Sequence, residues 1–372
     1  MVSLASGYGN FAVPEVALEA AKAALRDAQA QGTPLVVSPA AGLPALREAL
    51  AQRYRQRGAP GVTAEQVIIT SGAKTGLFAV LSELLRPGDE VLMPTPNWFG
   101  FFDLVRRAGG MLRPLPLAPA DNYALTSDQL RAALTPATRL LLLSNPNNPT
   151  GRVYTRAEWA ALLAVADEFP DLWVLSDEIY EGICFGTAPV PTLLALPGPV
   201  EQRIVVSGFS KSLALAGWGV GCLVAPPALA RAVAARLFST GVAVPVPNQL
   251  AALAATEHAA AISQQLCEQL RPTRQRLLAA LAALPGAAPA GPAPEGTYYV
   301  FADFTRFLGS DVPAADASAA LVRRLAEAGV EVVDGATCGA PGFLRLSYAV
   351  DDAALQQALA GIAAVADCSA NF

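Results

Sequence analysis

Three short apolar runs, each opening directly into a block of polar residues, constrain this chain more than any other feature. Leu140-Leu141-Leu142-Leu143 leads into Ser144-Asn145-Pro146-Asn147-Asn148-Pro149-Thr150-Gly151. Leu172-Trp173-Val174-Leu175 leads into Ser176-Asp177-Glu178-Ile179-Tyr180, and Ile204-Val205-Val206 into Ser207-Gly208-Phe209-Ser210-Lys211-Ser212. Runs of this kind are strands buried on both faces of a parallel sheet. Ligands of open α/β sheets bind outside the C-terminal ends of the strands. The polar blocks should therefore bring an amide (Asn148), a carboxylate (Asp177), a phenol (Tyr180) and a lysine (Lys211) to one crevice.

The same alternation organises the rest of the chain. Apolar Leu46, Leu50 and Tyr54 recur one helical turn apart, predicting a helix over about 43–57. A strand over 66–69 runs into Thr70-Ser71-Gly72-Ala73-Lys74 and a second helix, and a strand over 90–93 ends near Trp98. Strands and helices alternate to about residue 225, as a doubly wound sheet requires. One long helical stretch is predicted over 249–284, with Pro272 as its start or a kink. The Pro/Gly/Ala-rich segment 285–296 reads as a boundary, followed by shorter strands and helices of α+β character. The expected fold is α/β: a doubly wound, mostly parallel sheet in a large domain, 41–284. A smaller α+β domain is expected from 1–40 and 285–372.

With 372 residues and 53% hydrophobic content, the chain can bury two unequal cores or a subunit interface. A net charge of −5, with no basic run, provides no footprint for nucleic acid or a membrane surface. Apolar stretches break well before the roughly 20 residues a bilayer span needs, and the amino terminus lacks signal-peptide character. Five scattered cysteines (Cys184, Cys222, Cys267, Cys338, Cys368) show no metal-ligand spacing and leave one unpaired, as expected of reduced thiols in a cytoplasmic protein. The single His258 lies in an Ala-rich helical stretch, which argues against histidine-centred catalysis.

A lysine after a strand is ordinarily a solvated terminus, but Lys211 sits among Ser207, Gly208, Ser210, Gly217, Gly219 and Gly221. Small residues let a cofactor approach the backbone closely, and a lysine there can form a Schiff base with an aldehyde cofactor and then shuttle protons. Asp177 reads as a helix cap or turn carboxylate, or as a buried anion that keeps a pyridine nitrogen protonated so that the ring accepts electrons. Tyr180 and Asn148 would then bond the ring oxygen, unless Asn148 serves only turn geometry. Ser71-Gly72-Ala73-Lys74, between strand and helix, suits a phosphate at a helix N-terminus. Trp98 suits stacking on a planar cofactor or plain core packing. Arg345, inside Phe343-Leu344-Arg345-Leu346-Ser347, reads as a grip on a substrate carboxylate or half of an internal salt bridge. Together these groups suit pyridoxal 5'-phosphate.

In this order the motifs resemble those of the fold-type I pyridoxal phosphate enzymes of the class I/II aminotransferase family, aspartate aminotransferase-like, nearly end to end. The likeness rests on Gly42, Pro44, Leu46 and Arg47 at a helix start, the Asn-Pro-Thr-Gly turn, Asp-Glu-Ile-Tyr, Ser-Lys and the Arg345 strand. It implies transamination between an α-amino acid and a 2-oxo acid through a Lys211 Schiff base, with Lys211 as general acid/base. Asp177 would pair with the pyridine nitrogen, Asn148 and Tyr180 with the ring oxygen, and Trp98 would stack on the ring. Ser71, Gly72, Ala73, Lys74 and Ser210 would hold the phosphate, Arg345 the substrate carboxylate, and Gly7 and Asn148 would lie near the substrate. A homodimer is implied. The same first steps also serve β-elimination (C–S lyase), decarboxylation or cyclisation, and a non-catalytic aminotransferase-like protein is a further alternative.

Two departures concern the phosphate. The family's arginine eight residues after the lysine is Gly219 here, and its tyrosine five residues before Gly42 is Val37. A charge-assisted bond is worth roughly 1.5–3 kcal/mol, so cofactor retention should be weakened, with Lys74 compensating in part. No second arginine is placed for a dicarboxylic side chain, while Tyr8, Phe11 and Phe99 hint at an apolar or aromatic wall.

Overall fold

The computed structural model describes residues 1–35, 37–241, 243–284, 288–289, 291–308 and 313–369, with backbone alone at 288–289 and 367–369. Its strands, in chain order, are β1 (Val2–Ser3), β2 (Val67–Thr70), β3 (Glu90–Thr95), β4 (Met111–Pro116), β5 (Thr138–Ser144), β6 (Trp173–Asp177), β7 (Arg203–Gly208), β8 (Gly221–Val224), β9 (Ala288–Pro289), β10 (Tyr299–Asp303), β11 (Val330–Glu331), β12 (Val333–Asp334) and β13 (Phe343–Ser347).

β2 to β8 form one seven-stranded sheet in the order β2-β8-β7-β6-β5-β3-β4. Every neighbouring pair is parallel except the two made by β8, which runs antiparallel to β2 and β7. The apolar runs explain the layering. Successive strand residues face opposite sides, so Leu141 and Leu143 join the core on one face while Leu140 and Leu142 join the core on the other. Helix Arg156–Ala166 closes the first face with Trp159, Leu162 and Leu163. Helix Ala73–Leu84 closes the second with Leu77, Val80, Leu81 and Leu84. β2, β5, β6 and β7 thus end at the same edge, where the polar blocks begin.

The remaining strands lie elsewhere. β12-β13-β10-β9 make an antiparallel sheet, and β1 pairs in parallel with β11. The Ser347 amide donates to the Leu4 carbonyl at 2.8 Å, tying the amino-terminal segment to the end of β13. Helix Glu15–Gln31, by contrast, lies along helix Val246–Glu257.

The single helix predicted over 249–284 is two helices, Val246–Glu257 and Ala259–Ala283, which meet at His258. His258 has φ −107° and ψ 15°, outside the helical well, and its exposed ring holds Nδ1 2.9 Å from the Ala254 carbonyl. Pro272 lies inside the second helix rather than at its start. Alanine-rich periodicity runs through such a junction unchanged, so the sequence pattern does not mark it. Part of the boundary segment expected at 285–296 lies outside the described residues.

Candidate active site

A cavity of about 510 Å³ opens at the C-terminal edge of the large sheet. Gly7, the Ser71–Lys74 loop, Trp98, Asn148, Asp177, Tyr180, Ser210, Lys211 and Arg345 all line it. Asp177 is the last residue of β6, Ser144 the last of β5, and Lys211 follows β7 by three residues. Arg345 comes from β13, in the other sheet.

Lys211 and Asp177 form the electrostatic centre. Burial pulls the Lys211 ammonium down to about 7, helped by Arg345 and Lys74 and opposed by Asp177. Burial pushes the Asp177 carboxyl up to about 7, against the Ile179 amide that donates to Oδ1 at 3.1 Å. Lys211 Nζ donates to the Gly7 carbonyl and stands 3.7 Å from the centroid of the Tyr8 ring. The chain has three lysines. Lys22 is an exposed partner of Glu19, and Lys74 stands 5.5 Å from the Trp98 ring centroid, which leaves Lys211 as the buried amine.

The asparagine turn divides its labour. Asn145 Oδ1 accepts from the Tyr154 amide at 2.9 Å, and Asn147 Oδ1 accepts from the Thr150 hydroxyl at 2.8 Å. Those two hold the loop, while Asn148 Oδ1 accepts from Arg345 Nη1 at 3.1 Å. Arg345 Nη2 donates to the Ala5 carbonyl at 2.9 Å, and the buried Nε has no partner. Arg345 is 3% exposed, and no carboxylate of the described residues lies within 4.0 Å, so the internal salt bridge is not the arrangement found. A cavity-lining guanidinium whose Nη atoms meet neutral acceptors alone is suited to an external carboxylate.

Sequence reading left out two neighbours of Tyr180. The Tyr180 and Tyr299 hydroxyls are 2.8 Å apart, and Tyr298 donates its hydroxyl to the Gly7 carbonyl at 2.7 Å. The Tyr299 ring centroid lies 4.2 Å from the Arg345 guanidinium carbon. Two consecutive tyrosines at the start of a strand were the available signal, because buried phenols need partners. Burial holds Tyr180 well above the ordinary phenol range, with Tyr298 and Tyr299 adding to the effect. Phe11 is not among the cavity-lining residues and packs against the Tyr298 ring, centroids 6.1 Å apart, whereas Tyr8 and Phe99 do line the cavity.

At the other end, helix Ala73–Leu84 begins where Ser71, Gly72, Ala73 and Lys74 meet the cavity. First-turn amides of a helix lack intrahelical acceptors and favour anions. Gly221 lets β8 pack there: an added Cβ would lie 2.4 Å from the Ala73 nitrogen. Gly217 and Gly219 line the same end, at φ +84° and +65°, with no atom within 4 Å of an added Cβ. Val37 is 83% exposed.

Residues 1–362 match the family model described as aminotransferase class I and II. The aspartate/prephenate aminotransferase of Thermus thermophilus is 35% identical over 98% of this chain and 91% of its own length. An aspartate aminotransferase of Streptomyces avermitilis is 32% identical over 97% of this chain and 88% of its own. Among solved structures, the Thermus thermophilus aspartate aminotransferase with maleate superposes with a TM-score of 0.87 at 35% identity, covering 98% of this chain and 91% of that one. The aspartate aminotransferase of Rhizobium meliloti gives 0.90 at 29% identity, covering 98% and 91%.

Proposed function

Since the chain belongs to the class I and II aminotransferases, it is an enzyme that uses pyridoxal 5'-phosphate to move an amino group between an α-amino acid and a 2-oxo acid, and we propose that Lys211 and Asp177 lead that chemistry. When bound, the cofactor supplies an aldehyde that captures amines and a ring that accepts electrons from the substrate Cα.

The residues fit that group. Lys211 would hold the aldehyde, because its amine is buried and its ammonium, pulled down to about 7, gives up its proton far more readily than an ordinary lysine. Asp177 would pair with the ring nitrogen: a buried carboxyl pushed up to about 7 gains most from a cation beside it. Asn148 and Tyr180 would bond the ring oxygen, and Trp98 would lie against the ring. Ser71, Gly72, Ala73, Lys74 and Ser210 would take the phosphate, at the helix start.

Lys211 Nζ, freed by the incoming amine, would take the Cα proton and deliver it two bonds away, on the far side of the nitrogen being transferred, the work of a base matched to neutral pH. Arg345 orients the substrate through its carboxylate, with Gly7 and Asn148 beside it. The observation that carries these roles is the convergence on one cavity of Lys211, Asp177 and an Arg345 with no carboxylate partner among the described residues. Borohydride reduction of the cofactor-loaded protein followed by peptide mass mapping tests it. The added mass should sit on the Lys211 peptide; finding it on Lys74 or Lys22 instead would refute the assignment.

Two coarser features belong to the same proposal. The protein acts as a cytoplasmic homodimer: exposed Val37 and Phe238, at 83% and 77%, offer apolar surface to a second copy, and Cys184, Cys222, Cys267 and Cys338 are free thiols. Among the described residues no helix is long and apolar enough to cross a membrane. The chain divides into a large cofactor domain, 41–284, and a smaller domain of 1–40 and 285–372, supported by the two separate sets of strands. Helix Glu15–Gln31, lying along Val246–Glu257, would bridge them.

A further inference from the structure

Asp177 ends β6 and Lys211 follows β7, so two parallel neighbours deliver the carboxylate and the amine side by side. The ladder between these strands finishes with the Glu178 amide on the Val206 carbonyl at 2.8 Å. Farther out, serines take over. Ser207 donates its hydroxyl to the Glu178 carbonyl at 3.3 Å. Ser212, 2% exposed and next to Lys211, donates its hydroxyl to the Ile179 carbonyl at 3.0 Å and accepts from the Gly182 amide at 3.0 Å. Those two backbone groups close an ordinary four-residue turn by bonding each other. Here the overlapping turns 178–181 and 180–183 are closed directly, at 3.0 and 2.8 Å, and the Ser212 hydroxyl stands in the middle one. Tyr180 sits inside it. Behind, Ser263 of helix Ala259–Ala283 donates to the Ser212 carbonyl at 3.1 Å. The junction has no slack: a Cβ added to Gly182 would lie 2.3 Å from Ser263 Oγ and 2.9 Å from Ser212 Cβ.

We infer that Ser212 is a positioning residue: its hydroxyl fixes the Tyr180 turn against the Lys211 loop, so that phenol and amine address the same cofactor. The inference rests on the roles proposed above for Tyr180 and Lys211. A hydroxyl has one donor and two acceptor sites, so it serves both ends of the turn at once, which alanine cannot. Without it the Ile179 carbonyl and the Gly182 amide must bond each other or go unmet, and either outcome moves Tyr180 relative to Lys211. A misplacement of about 1 Å near reacting groups is enough to cost about 10²-fold in rate.

The test reads the absorbance of the cofactor-loaded protein against pH. A phenol bonded to the ring oxygen favours that oxygen's anion and keeps the midpoint low. Tyr180→Phe should raise the midpoint. Ser212→Ala should move it in the same direction, with turnover down roughly 10- to 100-fold and KM little changed. Added to Tyr180→Phe, Ser212→Ala should move it no further, since the phenol it places is gone. Ser212→Thr keeps the hydroxyl and should keep the midpoint. Ser263→Ala loosens the same junction from behind and should leave the midpoint in place too. Tyr298, Tyr299 and Arg345 face Tyr180, and Arg345, Asp177 and Lys74 face Lys211, so these groups are the same in every Ser212 and Ser263 variant. A midpoint that Ser212→Ala leaves unmoved, or moves equally on the Tyr180→Phe background, would overturn the inference, and so would a shift shared by Ser212→Thr or Ser263→Ala. If Tyr180→Phe itself leaves the midpoint in place, the ring-oxygen role of Tyr180 falls, and the inference with it.

Discussion

Asp177 and Glu178 are adjacent carboxylates, both buried, and their surroundings could hardly differ more. Glu178 meets Arg57 Nη2 at 3.3 Å and accepts from the Leu193 amide at 2.8 Å. Arg57 also reaches Glu181 at 3.5 Å, and Glu181 meets Arg53 at 2.6 Å. Burial lifts the Glu178 carboxyl, and Arg57 and the Leu193 amide pull it back. Asp177 has the Ile179 amide and the more distant Lys211 to restrain it, and rises to about 7. Consecutive strand residues point to opposite faces, so one carboxylate fell to a structural ion network and the other to the cavity. The active site is where the chain leaves charged groups short of partners, which an unliganded fold tolerates only because a ligand completes them.

The largest expected effects break that pair apart. Arg57→Met leaves Glu178 without its cation and should cost about 3–5 kcal/mol of stability. Turnover of the molecules that remain folded should change little. Asp177→Asn should leave urea stability equal or higher, since it removes a buried carboxylate short of partners, while turnover falls roughly 10²- to 10³-fold. Urea melts and initial rates on the same preparations decide it. If Asp177→Asn melts as early as Arg57→Met, the contrast is wrong and Asp177 is a structural residue.

A smaller effect is read against pH. Capture of pyridoxal phosphate by the cofactor-free protein needs the neutral Lys211 amine, and the folded protein holds that group down at about 7. Capture rate should therefore be flat above pH 7 and fall about tenfold per unit below it. Asp177 favours the Lys211 ammonium, so Asp177→Asn should move the midpoint to lower pH. An exposed surface change such as Lys22→Ala should not move it. A midpoint near the ordinary lysine value of 10.5 in the unaltered protein would mean that Lys211 is solvated.

Much of this was legible because strand chemistry is local. The apolar runs at 140–143 and 204–206 announced doubly covered strands, and the residues after them had to emerge at one edge. What escaped the sequence depends on contacts made at long range. The His258 junction breaks no periodicity. Tyr299 comes beside Tyr180 because the backbone just before β10 bonds across to residues 183–185, Thr297 to Ile183 and Phe185 to Glu295, and no local pattern reveals that pairing. Asn145, Asn147 and Asn148 are equivalent as letters, and tertiary partners alone decide that Asn148 is the one that meets Arg345.

The smallest expected effect concerns the end of the cavity where both charge and partners are sparse. Gly217 and Gly219 bring no side chain to it, and Lys74 is the lining cation at the helix start. A phosphate held by helix amides, the Ser71 and Ser210 hydroxyls and one ammonium should lose about tenfold or more in affinity when that ammonium goes, the range of a single charge-assisted bond. Lys74→Ala should thus raise the dissociation constant for pyridoxal phosphate, read from its absorbance titration, with little effect on pyridoxal, which lacks the phosphate. An equal loss for both ligands would assign Lys74 to packing on Trp98, whose ring it faces at 5.5 Å. No loss for either would mean that the amides and the serine hydroxyls hold the phosphate without the ammonium. Loss confined to the phosphorylated ligand would extend the contrast drawn at Asp177 and Glu178 to the far end of the cavity, where a lone cation also waits for a partner that the chain does not supply.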